Sequence, residues 1–285
     1  MRIGVTGANG FIGQHLASRL EEDSQVELTR FQRQPGTIPQ TKDYKNFVKG
    51  LDLIYHLGGV NRASDEELLR SNVLATANLL TAIKQFALPT TSIVFSSSAQ
   101  VYRLSGAKKK ISERCSVDAE TVYGISKRVA EDLLRLSGTP HIILRLSNVY
   151  GPGCRPNYNS VIATFCHRAV KGEALEINGD GSQGRDFIYI DDVVDAFIQA
   201  GFSNKRAGTF NVGSGKISSL KQVLGKIDKA GVPVNVIYHP ELDAGGRSYC
   251  CDASRFEKTF NWKASTSLLA GIRNTLSPLQ KIVSK

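Results

Sequence analysis

The chain has 285 residues, of which 41% are hydrophobic and 22% charged, and a formal net charge of +10. That length supports one large α/β domain with a smaller lobe, and the composition excludes a disordered or fibrous chain. No apolar run approaches the roughly 20 residues that cross a bilayer, so no membrane partner is expected.

In chain order, "RIGVT" predicts a strand over Arg2–Thr6. Phe11, Ile12, Leu16 and Leu20 then recur on one face of a helix over Phe11–Glu22. Strands are expected at Val26–Phe31 and Leu51–Leu57, with one helix candidate, Tyr44–Lys49, between them. A full half of a doubly wound sheet would carry another strand there, so the sheet is expected to be one strand short. A long helix over Asp65–Phe86, a buried strand over Ser92–Ser98, a helix over Tyr123–Ser137 and a strand over His141–Ser147 follow. Such alternation predicts βαβ units around a parallel sheet. The expected class is α/β, a Rossmann-type doubly wound parallel sheet with a smaller, irregular C-terminal substrate lobe. A dinucleotide-binding domain is expected over residues 1–150, rejoined by 186–214, with 151–185 and 215–285 forming the lobe. The chain begins directly in a strand, so no signal peptide is expected.

"TGANGFIG" places Gly7, Gly10 and Gly13 between the first strand and the first helix. Gly7 permits the tight turn, Gly10 lets the backbone approach a pyrophosphate, and Gly13 lets the helix pack closely. The helix N-terminus supplies free N–H groups for the anion. An NAD site would end the second strand in an acid that holds the ribose 2′-hydroxyl. Here Arg30 takes that place and Arg33 follows, which suits a 2′-phosphate and favours NADP(H), with NAD as the alternative.

Cys115, Cys154, Cys166, Cys250 and Cys251 are odd in number and contain no C-x-x-C pair. They predict reduced thiols in a cytoplasmic protein, and no metal site is expected. Lys108, Lys109 and Lys110 form a basic cluster without interleaved aromatics. It reads as a solvated loop, and no nucleic-acid partner is expected.

The glycine turn, "YHLGGVNR", "FSSSAQVY", "VYGISK", "LRLSNVYGPG", "GRDFIYIDDVV", "FNVGSG" and "CDASRF" come in this order. Together they resemble the extended short-chain dehydrogenase/reductase family, in its branch of epimerases, dehydratases and reductases acting on nucleotide-diphosphate sugars. "HLGGVNR" and "RPNYNSVIATFC" are similar to the 4-ketoreductase part of the bifunctional capsular enzymes that make UDP-N-acetyl-L-fucosamine.

The resemblance implies a catalytic set of Ser98, Tyr123 and Lys127. Tyr123 would exchange a proton with the sugar oxygen, and Ser98 would hydrogen-bond it. Lys127, one helical turn on, would favour the phenolate and reach the cofactor ribose. The resemblance also implies cofactor contacts from Phe11, Ile12, Leu57, Gly58, Gly59, Asn72 and Asp43. On the substrate side it implies Asn148 and Arg185 at the diphosphate, Arg247 near the nucleotide, and Asn157, Tyr158, Asn159 and Ser160 around the sugar. It further implies a homodimer through the helices near 65–86 and 123–137, with Leu68, Leu69, Val73, Leu79 and Leu80 as the apolar face.

Of four chemistries in that branch, two fail at named positions. Dehydration needs an acid pair where Ala99 and Gln100 stand. Epimerisation at C3 and C5 needs a Cys and a His in the pocket, and Cys154 and His167 fall elsewhere. NADPH-dependent reduction of the C4 ketone of a 4-keto-6-deoxy nucleotide sugar is expected. The alternative is an NAD-dependent 4-epimerase, and a non-catalytic cofactor- or RNA-binding protein is the third reading.

Overall fold

The computed structural model describes residues 1–104, 110–158, 160–242 and 248–283. Its first half runs β1 (Arg2–Thr6), α1 (Phe11–Glu21), β2 (Glu27–Arg30), α2 (Thr41–Tyr44), β3 (Leu53–His56), α3 (Asp65–Leu69), a π turn (Arg70–Leu74), α4 (Ala75–Phe86), β4 (Ser92–Ser98), β5 (Lys110–Ile111), α5 (Val122–Ser137) and β6 (His141–Leu146). The second half runs β7 (Asn148–Tyr150), α6 (Val161–Val170), β8 (Leu175–Asn178), β9 (Gly184–Tyr189), α7 (Ile190–Gly201), β10 (Ala207–Val212), β11 (Ile217–Ser219), α8 (Leu220–Lys229), β12 (Val236–His239), β13 (Cys250–Cys251), α9 (Ser254–Phe260) and α10 (Leu268–Val283).

Six parallel strands form the main sheet in the order β10-β6-β4-β3-β1-β2. Helices cover both faces, so the strands read as aliphatic runs rather than as alternating patterns. Leu53 and Tyr55 join Ile3, Val5, Leu16 and Phe197 in one core, against α1 and α7. Ile54 turns the other way and joins Leu79, Ile83, Phe95 and Leu134, against α4 and α5. Beside the main sheet, β7 pairs with β9 and β9 with β11, and β8 pairs with β12.

The segment between β2 and β3 contains no strand, as its sequence suggested. Its helix lies at Thr41–Tyr44 instead of Tyr44–Lys49. A reciprocal cap decides this, in which the Gln40 N–H donates to the Asp43 carboxylate (2.8 Å) and the Gln40 side chain answers at the Asp43 N–H. Residues 45–50 become turns that send Phe47 and Val48 into the core.

The helix expected over Asp65–Phe86 is interrupted by the π turn, where the Thr76 hydroxyl donates to the Asn72 carbonyl (2.7 Å). The apolar face proposed for pairing also needs correction. Leu68, Leu79 and Leu80 are buried within the protomer, whereas Leu69, Leu74 and Ile125 are exposed. Among the described residues no helix is long and apolar enough to cross a membrane.

Candidate active site

At the carboxyl end of β1 the chain turns sharply at Gly7, whose φ is +71°. The Gly10 N–H closes that turn on the Gly7 carbonyl (2.9 Å), and Gly10 is the N-cap of α1. A Cβ on Gly13 would sit 2.1 Å from the Gly7 oxygen, so only glycine lets the helix approach this closely. The free N–H groups of the first helical turn open onto a cavity of about 330 Å³. Gly7, Gly10, Phe11, Ile12 and Gly13 line one end; Leu57 and Gly59 come from the loop after β3, Tyr123 and Lys127 from α5, and Tyr158 from the loop after β7. The His15 ring donates through Nε2 to the Pro152 carbonyl (2.9 Å) and ties that last loop to α1.

α5 starts where it does because the Thr121 hydroxyl accepts from the Gly124 N–H (3.0 Å). A side chain at Gly124 would collide with the Gln100 carbonyl, 2.2 Å from its Cβ. The glycine of "VYGISK" therefore lets the helix settle on the turn after β4 and brings Tyr123 to Ser98. Burial pushes the Tyr123 phenol up to about 12, and its hydrogen bond with Ser98 partly offsets this while nearby Tyr158 adds to it. Ser98 Oγ also accepts from the Gln100 N–H (3.2 Å).

Lys127 is buried, and its ammonium donates to the Ser96 carbonyl (2.9 Å) and lies 4.9 Å from the centre of the Phe95 ring. Burial lowers it to about 8, against the raising influence of Glu131. The groups that shift the phenol are Ser98 and Tyr158, and its net shift is upward.

Beneath these side chains, Glu131 and Arg145 form a buried pair through two bonds, Nε to Oε1 at 2.9 Å and Nη2 to Oε2 at 2.6 Å. The Ser97 hydroxyl (2.5 Å) and Arg135 (2.7 Å) add donors to the same carboxylate. Arg145 also donates to the Tyr102 hydroxyl (2.8 Å), which donates to Asn211 Oδ1 (2.8 Å). Every strong group in the pair is satisfied, as a buried charge requires.

Asn72 stands behind the cavity wall. Its side chain accepts from the Val60 N–H and donates to the Val60 carbonyl (both 2.9 Å) and to Ser126 Oγ (2.9 Å), which donates to the Tyr123 carbonyl (2.7 Å). Gly58 does not reach the cavity; its N–H donates to the Thr6 hydroxyl (3.1 Å). His56 is buried between Thr6 and Thr76, and burial lowers it to about 3, so its ring is neutral.

The two arginines after β2 part company. Arg30 is ion-paired with Glu21 (2.7 Å), at the end of α1 remote from the glycine turn, so it is not brought to the site. Arg33 donates to the Thr37 carbonyl (2.6 Å), approaches Glu67 (3.4 Å), and lines a second cavity of about 390 Å³ with Gln32 and Asp43. Asn9 of the glycine turn meets Gln32 (3.4 Å), which joins the two cavities' walls. Asp43, expected at the adenine, acts as the cap of α2.

Asn148 and Arg185 sit on the neighbouring strands β7 and β9. Asn148 donates to the Asp186 carbonyl (3.0 Å) and Arg185 to the Gly184 carbonyl (2.8 Å), and neither lines the cavity at the glycine turn. Asn157 has φ +58° and its N–H donates to the Thr164 hydroxyl (2.7 Å). Ser160 precedes α6 with a buried hydroxyl that has no hydrogen-bond partner among the described residues. Asn159 and Arg247 lie outside the described residues. Asn9, Gln14, Val60, Asn61, Gly153 and Arg155 also line the cavity. All but Gln14 belong to a motif already noted, but side-chain direction is not written in a motif.

An α/β enzyme that works on a dinucleotide needs a phosphate-binding turn and a proton-transferring side chain in one cleft, and both are here. The chain belongs to the NAD dependent epimerase/dehydratase family, whose model matches residues 3–213. It is 36% identical over 208 residues to the UDP-2-acetamido-2,6-beta-L-arabino-hexul-4-ose reductase of Pseudomonas aeruginosa, over 70% of this chain and 49% of that one. The chain thus spans about half the length of that relative. A UDP-glucose 4-epimerase of Mycolicibacterium smegmatis is 29% identical over 97% of both chains. The solved structure of MoeE5 in complex with UDP-glucose and NAD superposes with a TM-score of 0.87 at 27% identity, over 100% of both chains. Reductases, epimerases and decarboxylases stand among the relatives this chain matches.

Proposed function

We propose that the protein reduces the C4 ketone of a nucleotide-diphosphate-linked 4-keto-6-deoxy sugar with NADPH. The observation that carries this is the Tyr123 phenol, hydrogen-bonded with Ser98 and pushed up to about 12. A phenol in that state is a proton donor at neutral pH, which is what a ketone accepting hydride requires. The glycine cradle fits a dinucleotide, since only glycine at 13 lets α1 settle against the Gly7 turn with its N-terminus on the cavity. When bound, the reduced nicotinamide supplies the hydride. Tyr123 gives its proton to the C4 oxygen, and Ser98 steadies that oxygen as charge develops. Lys127 holds a positive charge nearby, on the Ser96 carbonyl. Ala99 and Gln100 offer no acid–base pair for dehydration. In this reading Asn148 and Arg185 would meet the diphosphate, and Asn157, Tyr158 and Ser160 the sugar.

The second reading, a 4-epimerase with NAD, is favoured by the full-length similarity to a UDP-glucose 4-epimerase. The assay that separates the two supplies NADPH and a panel of 4-keto-6-deoxy nucleotide sugars. Net loss of NADPH supports reduction, and exchange of C4 epimers without net loss supports epimerisation.

NADPH preference now rests on Arg33 rather than Arg30. Arg33→Ala is expected to raise KM for NADPH by about 10- to 100-fold and to leave KM for NADH unchanged, as loss of a charged hydrogen bond predicts. Steady-state kinetics with each cofactor checks this.

A homodimer through α3–α4 and α5 is part of the proposal. The exposed Leu69, Leu74 and Ile125 support it. Sedimentation equilibrium is expected to give twice the chain mass.

A further inference from the structure

Asn61 is a polar side chain on the cavity wall that none of the assignments above uses. Its Oδ1 is buried and accepts no hydrogen bond from any described residue. An acceptor buried without a donor costs about 1–3 kcal/mol, so a folded protein keeps one only where something else meets it. Slack in the loop does not explain it. On one side, both backbone polar groups of Val60 are held by the Asn72 amide at 2.9 Å. On the other, Arg62 Nη1 donates to the Asn157 carbonyl (3.0 Å) and fastens this loop to the loop after β7. The Asn61 amide is therefore fixed on the wall, in the same cavity as Tyr123 and Tyr158.

The chemistry of the unmet group narrows its partner. Phosphate oxygens and a ketone are acceptors and cannot satisfy another acceptor, and the N–H groups at the glycine turn are already suited to phosphate. A hexose carries hydroxyl or N–H donors, and so do the cofactor's ribose and carboxamide, so binding of NADPH has to be measured beside that of the sugar. We infer that Asn61 is a specificity-determining residue that reads the sugar, its side-chain oxygen accepting a hydrogen bond from a hydroxyl or N–H of the hexose. The inference rests on the nucleotide-sugar part of the proposed function and not on whether the reaction is reduction or epimerisation.

Titration calorimetry on the wild type and on Asn61→Ala tests it, with UDP-glucose and UDP-N-acetylglucosamine against UDP, and dTDP-glucose against dTDP. Asn61→Ala is expected to weaken a sugar nucleotide by about 3- to 10-fold while leaving the matching nucleoside diphosphate and NADPH unchanged. Asn61→Asp, which keeps an acceptor, is expected to retain more of the sugar affinity than Asn61→Ala. An unchanged thermal midpoint identifies a folded variant. Equal losses for sugar nucleotide and nucleoside diphosphate, or no loss for either, overturn the inference. A sugar-only loss in an enzyme that epimerises without consuming NADPH overturns ketoreduction and leaves the inference standing. Failure of the wild type to bind any of these sugar nucleotides overturns both.

Discussion

Tyr123→Phe is expected to slow ketone reduction by about 10²- to 10⁴-fold while NADPH binding persists. The substitution removes one hydroxyl and keeps the ring that lines the cavity. The lost atom is the group hydrogen-bonded with Ser98, held protonated because burial raises it to about 12. Single-turnover rates with saturating NADPH, with cofactor fluorescence as the binding readout, check the result. A rate within a few-fold of the wild type would remove Tyr123 from the proton transfer. The phenol stays protonated throughout the neutral range, so it does not bend the pH profile there. Lys127, lowered to about 8 by burial, does. The rate is expected to fall above that pH as its ammonium loses the proton.

Glu131→Gln is expected to cost about 3–5 kcal/mol, read as a lower urea midpoint, because it leaves the buried Arg145 charge without its counterion. The pH dependence has a definite sign. Burial raises the Glu131 carboxyl, but hydrogen bonds and charge from Arg145, with help from Ser97 and Arg135, outweigh it and hold it below the usual glutamate value. A carboxyl depressed on folding contributes stability above its unfolded pKa and loses it as pH falls through its folded one. The deficit of Glu131→Gln is therefore expected to be full at neutral pH and to shrink in acid. The carboxylate also raises Lys127, so the alkaline limb of the rate profile is expected to move to lower pH in the variant. An equally well-packed apolar pair could match the stability of Glu131 and Arg145, but would not tie Ser97 to α5 beside Ser98.

What could be read from the sequence was what depends on neighbours along the chain. The glycine turn, its strand and its helix are local, and Gly7, Gly10 and Gly13 line the cavity as their spacing suggested. Tyr123 and Lys127 lie one turn apart on α5, so one helix carries both into the cavity. Where a side chain chooses between partners, spacing was silent. Arg30 stands in the sequence where the ribose-binding acid would, with Arg33 following, yet Arg30 is ion-paired with Glu21. Asn72 owes its reach to Val60 and Ser126 to a helix whose π turn no hydrophobic period announces. The helix after β2 starts earlier than the expected 44–49 because Gln40 and Asp43 cap each other. Asn61 stood in a quoted motif, but an acceptor without a donor exists only once the loop after β3 is packed against Asn72 and Asn157.

The most direct test of ketoreduction follows the reduced-nicotinamide absorbance when the enzyme meets NADPH and a nucleotide-linked 4-keto-6-deoxy sugar. Ketoreduction predicts loss of that absorbance in step with formation of the 4-hydroxy sugar, with a much slower loss in Tyr123→Phe. Interconversion of C4 epimers at constant absorbance would contradict it.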